Sequence, residues 1–244
     1  MNISFESKRI LVTGAGQGIG RELALRLSKY NGTVIALSKT KSNLETLKQQ
    51  DPRIQTIVVD VTDWEATRNA IRKILPIHML VNNAGVACLA PFLQLTENQF
   101  DLTMNVNVKS VFNISQVVAE NMIEQKCAGS IVNVSSQASH AALKDHAVYC
   151  ASKGAVDMLT KTMALELGPH NIRVNSVNPT VVMTAMGKLG WEDPKKARSM
   201  LEKIPLGRFA EVDEVIDAIV YLLSDRSSMV NGITLPIDGG FLAT

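Results

Sequence analysis

Aromatic residues and an excess of charge of one sign are both missing from this sequence. Phe, Trp and Tyr make up 5% of its 244 residues, and 25 basic side chains are balanced by 23 acidic ones. Proteins that bind nucleic acids need a basic surface for phosphates and, for single strands, aromatic side chains that stack on bases. We therefore predict no nucleic acid partner.

Long apolar runs and paired cysteines are missing as well. No stretch approaches the roughly 18 consecutive apolar residues of a membrane-spanning helix, and no secretory signal precedes the first strand. Cys88, Cys127 and Cys150 show no paired spacing, and the four histidines show no metal-ligand spacing. We expect a cytoplasmic protein with no transmembrane segment, no disulfide and no metal, and we leave peripheral membrane association open.

What the sequence does have is enough apolar material for one large core. Hydrophobic residues make up 46% of the chain, and no linker, repeat or low-complexity run divides it. We therefore predict that residues 1–244 form a single domain.

Seven short apolar runs alternate with helical segments along the chain. This alternation predicts a parallel sheet covered by helices on both faces, with ligands bound at the carboxyl ends of its strands. The expected fold is an α/β, doubly wound Rossmann fold of about seven strands. The predicted strands are Arg9–Thr13, Thr33–Leu37, Gln55–Asp60, Ile77–Asn82, Ser130–Ser135, Ile172–Val177 and Gly232–Leu235.

A glycine-rich turn joins the first strand to the first predicted helix. Its sequence, TGAGQGIG at 13–20, contains Gly14, Gly18 and Gly20 together with Gln17 and Ile19. Glycines allow a tight turn and a close backbone approach, and the helix N-terminus that follows offers N–H groups to a pyrophosphate. This context predicts dinucleotide binding.

The residues after the second strand predict which dinucleotide binds. An acidic residue there would bind the ribose 2′-hydroxyl of NAD, but this chain has Ser38, Lys39 and Thr40. An ammonium with two hydroxyls attracts a 2′-phosphate, so NADP(H) is the predicted cofactor. Because Gln17 adds no charge, the preference depends mainly on Lys39; the alternative is that Lys39 is only a solvated surface lysine.

Further cofactor contacts are expected after the third, fourth and sixth strands. A carboxylate after the third strand can hold the adenine amine, and small residues after the fourth let the backbone lie against the cofactor. After the sixth strand we expect a backbone group at the nicotinamide carboxamide and a hydroxyl at the pyrophosphate. These positions are Asp60, Val61, Asn83, Ala84, Gly85, Val182 and Thr184.

Ser136, Tyr149 and Lys153 are the candidate catalytic side chains. Tyr149 and Lys153 are four residues apart, on one face of a predicted helix over 147–167, and Ser136 follows a strand. A nearby cation lowers the pKa of a phenol, and we expect this to bring Tyr149 toward neutral pH for proton transfer. Taken alone, such a pair is usually surface decoration on a helix.

These motifs, in this order, resemble the short-chain dehydrogenase/reductase family over nearly the whole chain. The residues that carry the resemblance are the TGxxxGxG turn, NNAG at 82–85, Asn107, Ser136 and the Tyr149-x-x-x-Lys153 pair. The resemblance implies a Rossmann sheet with an integral substrate pocket and a catalytic tetrad of Asn107, Ser136, Tyr149 and Lys153. It also implies a homotetramer.

The residues around the tetrad predict the substrate class. Gln137 and His146 supply hydrogen-bonding groups, Leu143 lines the expected pocket, and Trp191 lies in an expected lid. This mixture favours a small hydroxylated ketone or a vicinal dicarbonyl. His146 can instead cap or pack, and Trp191 can pack without touching a ligand. The alternatives are a reductase of a 3-oxoacyl, steroid or pterin carbonyl, or a nucleotide-binding protein that has lost catalysis.

Overall fold

The structure is a computed structural model that describes residues 3–184, 187, 191 and 193–243. Seven parallel strands form one sheet in the order β3-β2-β1-β4-β5-β6-β7. This order confirms the predicted doubly wound sheet, because the chain reverses direction across the sheet between β1 and β4. The strands are β1 Arg9–Thr13, β2 Thr33–Ser38, β3 Gln55–Val58, β4 Met79–Asn82, β5 Gly129–Val134, β6 Ile172–Pro179 and β7 Thr234–Ile237.

Helices cover both faces of the sheet. On one face, α1, α2 and α8 bury Leu23, Leu44 and Val215 in a shared apolar core. On the other face, α3, α5 and α6 bury Ile71, Ile114 and Ala164 in a second core. The α-helices are α1 Gly18–Lys29, α2 Lys41–Gln50, α3 Trp64–Arg72, α4 Glu97–Met104, α5 Ser110–Glu124, α6 Ala147–Leu167, α7 Pro194–Leu201 and α8 Val212–Leu223.

Strand β1 shows how the apolar runs serve both cores at once. Ile10 and Val12 point into the first core and Leu11 into the second, because successive side chains of a strand alternate between faces. All three side chains are fully buried. A strand between two helical layers is therefore apolar at consecutive positions, which is the pattern that the sequence shows.

The strands differ from the predicted ones at their ends. Strand β4 begins at Met79 rather than Ile77, and β7 spans Thr234–Ile237 rather than Gly232–Leu235. Strand β3 ends at Val58, two residues before the predicted Asp60, and β6 continues to Pro179, two residues beyond the predicted Val177. The edge strand β3 pairs only with β2, whereas Asn178 and Pro179 at the end of β6 are held by pairing with β7. No helix of the described residues is long and apolar enough to cross a membrane.

Helices α4 and α5 are joined by a π-helical segment at Asn105–Lys109. A π turn inserts one extra residue into the helical repeat and re-aims the side chains that it contains. Asn107 is the central residue of this segment and is 1% exposed. The helix thus carries Asn107 inward, toward the carboxyl ends of the central strands.

Candidate active site

The glycine turn and the loop after β4 meet at the point where the strand order reverses. Gly14 has φ +64°, and a Cβ at this position would lie 2.8 Å from the Cα of Ala84. The side-chain amide of Asn83 donates to the carbonyls of Thr13 (3.0 Å) and Gly14 (3.2 Å). Only glycine fits position 14, because a side chain there would be both strained and in collision with backbone. Asn83 therefore braces the two loops.

The N-terminus of α1 is open toward this junction. Gln17 is its N-cap residue and is exposed, and its side chain makes no capping hydrogen bond within the described residues. A Cβ on Gly18 would lie 3.5 Å from the Cγ2 of Thr184, so Thr184 faces the turn from the loop after β6. The N–H groups of the first helical turn have no partner within the helix, an arrangement that can bind a pyrophosphate. Ile19 lies in the first turn of the same helix.

The end of β2 presents polar groups beside the glycine turn. A Cβ on Gly16 would lie 2.8 Å from the Oγ of Ser38, and Lys39 and Thr40 are exposed. Asp60 follows the neighbouring strand β3, and its pKa lies below the usual value. The hydrogen bond from the backbone N–H of Thr62 is the main cause of this lowering. Burial opposes the lowering, and the Thr62 hydroxyl and the Lys39 ammonium add to it. Lys39 therefore lies close enough to Asp60 to influence it through charge.

Asn107 joins the loop after β4 to helix α6. Its amide oxygen accepts from the backbone N–H of Val86, and its amide nitrogen donates to the carbonyl of Val86, both at 2.9 Å. The same nitrogen donates to the hydroxyl of Ser152 at 2.9 Å. A Cβ on Gly85 would lie 3.5 Å from the Asn107 Oδ1 and 3.7 Å from the Lys153 Nζ. Asn107, Gly85 and Lys153 therefore converge on one spot.

Tyr149 and Lys153 lie side by side on α6. The Lys153 ammonium is 5.7 Å from the centroid of the Tyr149 ring and donates to the carbonyl of Val134 at 2.7 Å. Burial lowers the pKa of Lys153 to about 8, and the charge of Asp157 opposes this shift. The ammonium is therefore held over the ring and anchored to the end of β5.

The expected direction of the Tyr149 pKa is wrong for this structure. Burial raises the pKa of the phenol, the hydrogen bond with Ser136 opposes that shift, and the neighbouring Cys150 adds to it. The pKa is raised because burial disfavours the phenolate and because the Lys153 ammonium donates to the Val134 carbonyl rather than to the phenol oxygen. Tyr149 is therefore a phenol at neutral pH.

Ser136 follows β5 and lies against the end of β6. Its hydroxyl donates to the carbonyl of Pro179 at 3.4 Å and accepts from the backbone N–H of Ala138 at 3.1 Å. The side chain is 8% exposed. The long bond to Pro179 is weak, so the hydroxyl can exchange it for a better acceptor.

The four residues predicted to choose the substrate lie in three different surroundings. Gln137 is 2% exposed, and its Oε1 has no hydrogen-bond partner among the described residues. The His146 ring lies 6.2 Å from the Tyr149 ring, edge to face. Leu143 and Trp191 share an apolar cluster with Phe209, and the Trp191 and Phe209 rings are 5.8 Å apart. The lid expected around Trp191 lies partly outside the described residues.

Three buried side chains that support this site were not singled out from the sequence. Ser152 bonds Asn107, while Asp157 and Asn178 hydrogen-bond each other at 2.7 Å behind Ser136. Asp157 had a signal, because it follows Lys153 by four residues on the same helix. Ser152 and Asn178 had none, since their importance arises only from packing between α6, β6 and the loop after β4.

Comparisons with known proteins agree over the full length of the chain. Residues 14–242 match a family model described as enoyl-(acyl carrier protein) reductase. An L-xylulose reductase from Mesocricetus auratus is 56% identical over 244 residues and a D-erythrulose reductase from Gallus gallus is 54% identical over 243, covering at least 99% of each chain. A gluconate 5-dehydrogenase from Burkholderia cenocepacia, solved with NADP and tartrate, superposes with a TM-score of 0.93 at 32% identity, covering 99% of this chain and 97% of that one.

Proposed function

Since the chain belongs to the short-chain dehydrogenase/reductase family and is an NADP-dependent oxidoreductase of carbonyl and sugar substrates, we propose that it reduces L-xylulose to xylitol and also reduces small α-dicarbonyl compounds. The observation that carries this proposal is the 56% identity, over the whole length of both chains, with an L-xylulose reductase. A second relative, 54% identical, is named for D-erythrulose, which is also a small ketose.

The surroundings of Ser136 support a substrate that carries hydroxyl groups. The side-chain carbonyl oxygen of Gln137 is buried and has no hydrogen-bond partner among the described residues. Leaving such an acceptor unpaired costs about 1–3 kcal/mol. A hydroxyl beside the ketone of a sugar can donate to it. Leu143 and Trp191 form the apolar side of the pocket, and His146 lies beside Tyr149. We assign these four residues and Ser136 to substrate binding.

The residues at the strand ends fit NADP(H), and each group of them would bind a different part of the cofactor. Gly14, Gly18 and Gly20, with Gln17 and Ile19, would hold the pyrophosphate together with Thr184. Ser38, Lys39 and Thr40 would hold the 2′-phosphate, and Asp60 and Val61 the adenine. Asn83, Ala84, Gly85 and the backbone of Val182 would line the nicotinamide side, and Tyr149 and Lys153 would bind the ribose hydroxyls.

The proposed mechanism uses Tyr149 as the general acid. Burial keeps its phenol protonated at neutral pH, so it has a proton to donate to the carbonyl oxygen of the substrate. Ser136 donates a hydrogen bond to the same oxygen as negative charge develops, exchanging its long bond to Pro179. NADPH supplies the hydride when bound. The Lys153 ammonium stabilises the phenolate that proton donation leaves on Tyr149, and Asn107 fixes the loop beside it.

One assay tests this proposal: NADPH oxidation by wild-type protein and by Tyr149→Phe. The substrates are L-xylulose, diacetyl, a 3-oxoacyl thioester, a steroid ketone and a pterin. We expect turnover with the first two and a loss of about 10²-fold or more in Tyr149→Phe, because only the acid is removed. NADPH binding, measured by fluorescence, should be retained, and Tyr30→Phe at the far end of α1 should behave as wild type.

Other outcomes of that assay would assign other functions. Preference for the thioester, steroid or pterin would make the protein a reductase of that carbonyl. Tight NADPH binding without oxidation of any substrate would support a non-catalytic nucleotide-binding protein. Turnover by Tyr149→Phe near that of the wild type would rule out the mechanism.

We also propose that the chain acts as a homotetramer in the cytoplasm. Apolar side chains on α5 and α6 are exposed in the single chain, among them Phe112 (43%), Met158 (62%) and Leu165 (78%). A second copy that covers them would remove this surface from water. All three cysteines are free thiols, which suits a reducing compartment.

A further inference from the structure

A buried carboxylate lies one helical turn beyond Lys153. Asp157 is 5% exposed, as is Lys153, so two opposite charges are buried on the same stretch of α6. The carboxylate accepts from the Asn178 amide at 2.7 Å and from the Ser176 hydroxyl at 3.1 Å. Both donors are neutral groups on β6. A buried carboxylate held only by neutral donors is costly unless a nearby cation offsets its charge.

We infer that Asp157 is a positioning residue, which holds the Ser136 turn through Asn178 and keeps Lys153 in its charged form. The inference rests on the proposed function, because it assumes that Ser136 and the Lys153 ammonium take part in the reaction. It adds a charged residue that makes no contact with the reacting groups.

The first half of the inference follows from the hydrogen bonds of Asn178. Its amide nitrogen, held by Asp157, also donates to the hydroxyl of Ser139 (2.9 Å) and shares a hydrogen with the carbonyl of Ser136 at 3.2 Å. Ser139 in turn donates to the same Ser136 carbonyl at 2.7 Å. The peptide group between Ser136 and Gln137 is thereby fixed from behind, so the catalytic hydroxyl and the unpaired Gln137 side chain both depend on this network.

The charges around Asp157 relate it to Lys153. Within the described residues, the titratable groups that face its carboxylate are Lys153 on α6 and His140 from the turn after β5, whose Nδ1 lies 3.4 Å from Oδ2. Ser176 and Asn178 on β6 are neutral, as is Thr234 on β7, which contacts His140 Nε2 at 3.3 Å. Tyr149, the other titratable group beside Lys153, is a neutral phenol. Asp157 is therefore the negative charge that opposes the desolvation of Lys153.

The test is the pH dependence of kcat/KM for diacetyl in wild type, Asp157→Asn and Glu166→Gln. Burial lowers the pKa of Lys153 to about 8, so we expect activity to fall at alkaline pH as Lys153 loses its proton. Removing the Asp157 charge should lower this pKa further, so the alkaline limb should move to lower pH by about one unit. Glu166 is an exposed acid on the same helix, and Glu166→Gln should leave the profile unchanged.

Two further variants separate the charge from the geometry. Asp157→Glu keeps the charge and displaces the hydrogen bonds, so kcat should fall while the alkaline limb stays near that of the wild type. His140→Lys puts a permanent cation beside the carboxylate and should shift the limb as Asp157→Asn does, even if Asp157→Asn does not fold. His140→Gln is its neutral control. An alkaline limb that is the same in the wild type, Asp157→Asn and His140→Lys would overturn the inference.

A readout without activity separates this inference from the proposed function. In protein labelled with ¹³C-lysine, the ε-carbon signal of Lys153, assigned with Lys153→Arg, reports its titration directly. The midpoint should be lower in Asp157→Asn than in wild type, and an unchanged midpoint would contradict the inference. If the wild type reduces no carbonyl, the proposed function fails, and this titration still decides whether Asp157 holds the charge on Lys153.

Discussion

Lys39 is a single exposed residue on which the choice between NADPH and NADH is proposed to depend. It follows β2 beside the glycine turn, and its charge reaches Asp60 across the strand ends. We predict that Lys39→Asp lowers kcat/KM for NADPH by about 10–100-fold, because a charge-assisted bond to the 2′-phosphate contributes about 1.5–3 kcal/mol. The value for NADH should rise, since a carboxylate there can bind the ribose 2′-hydroxyl.

The control for this substitution is Lys41→Asp. Lys41 is 76% exposed, begins α2 and pairs with Glu45 at 3.7 Å, so it carries the same charge two residues further along the chain. Steady-state kinetics with both cofactors should give wild-type ratios for Lys41→Asp. A Lys39→Asp variant with an unchanged ratio would mean that Lys39 is a solvated surface lysine.

For Tyr149, the sequence predicts the neighbouring residue but not the direction in which the pKa shifts. The spacing of Tyr149 and Lys153 correctly predicts that they are neighbours, because an i,i+4 pair on a helix has little freedom. The direction of the Tyr149 pKa was wrong because it depends on burial and on where the ammonium points. Both are set by β5 and the Val134 carbonyl, which are distant in sequence and adjacent only in the folded chain.

Helices and strands are predictable here to the extent that their signals are local. Helix α6 has the predicted bounds, and α1 begins within the glycine turn at Gly18, because apolar periodicity and the glycine turn define these ends. The π-helical segment around Asn107 has no such signal. It is maintained by bonds from Asn107 to Val86 and Ser152, which are 21 and 45 residues away.

Arg173 on β6 stabilises the C-terminus of α8. Its guanidinium donates to the carbonyls of Leu222 (2.9 Å) and Ser224 (3.1 Å), which have no partner within the helix ladder. We predict that Arg173→Met lowers the free energy of unfolding by about 1–3 kcal/mol, because hydrogen bonds to a charged, half-buried donor are lost. The loss is limited because the Leu222 carbonyl keeps the hydroxyls of Ser130 and Ser227, and the Ser224 carbonyl keeps the hydroxyl of Ser227. Urea denaturation measures this loss.

The effect of Arg173→Met should be on stability rather than on catalysis. Residual activity of the folded fraction should stay close to that of the wild type, because Arg173 is at the opposite end of β6 from Asn178 and Pro179. Arg226→Met removes an exposed arginine near the same helix end and should change stability by less than about 0.5 kcal/mol. Equal midpoints for the two variants would show that the remaining donors satisfy these carbonyls without Arg173.

At the scale of the whole molecule, the order of strands explains why scattered motifs form one site. The glycine turn, the Asn83 loop, Ser136 and Thr184 follow β1, β4, β5 and β6, and these strands are neighbours in the sheet. Parallel strands end at one edge, so the sequence pattern alone predicts that these groups meet. It does not predict the network of Asp157, because that network joins α6 to β6 through packing.

The assembly of chains can be tested at the apolar face of α5 and α6. A groove on this face is lined by Met104, Val108, Phe112 and Leu159, and the exposed Met158 and Leu165 continue along α6. We predict that the protein sediments at four times the 26.5 kDa chain mass, as the family resemblance implies. Pairing this face would supply one of the interfaces by burying apolar surface, at about 25 cal/mol per Å². Phe112→Glu should yield smaller species, since an unpaired charge cannot be buried there.

Val58→Glu, on the exposed edge strand β3, is the control and should remain tetrameric. A wild-type protein that sediments as a monomer would refute the tetramer, whereas a tetramer unaffected by Phe112→Glu would assign the interface to another face.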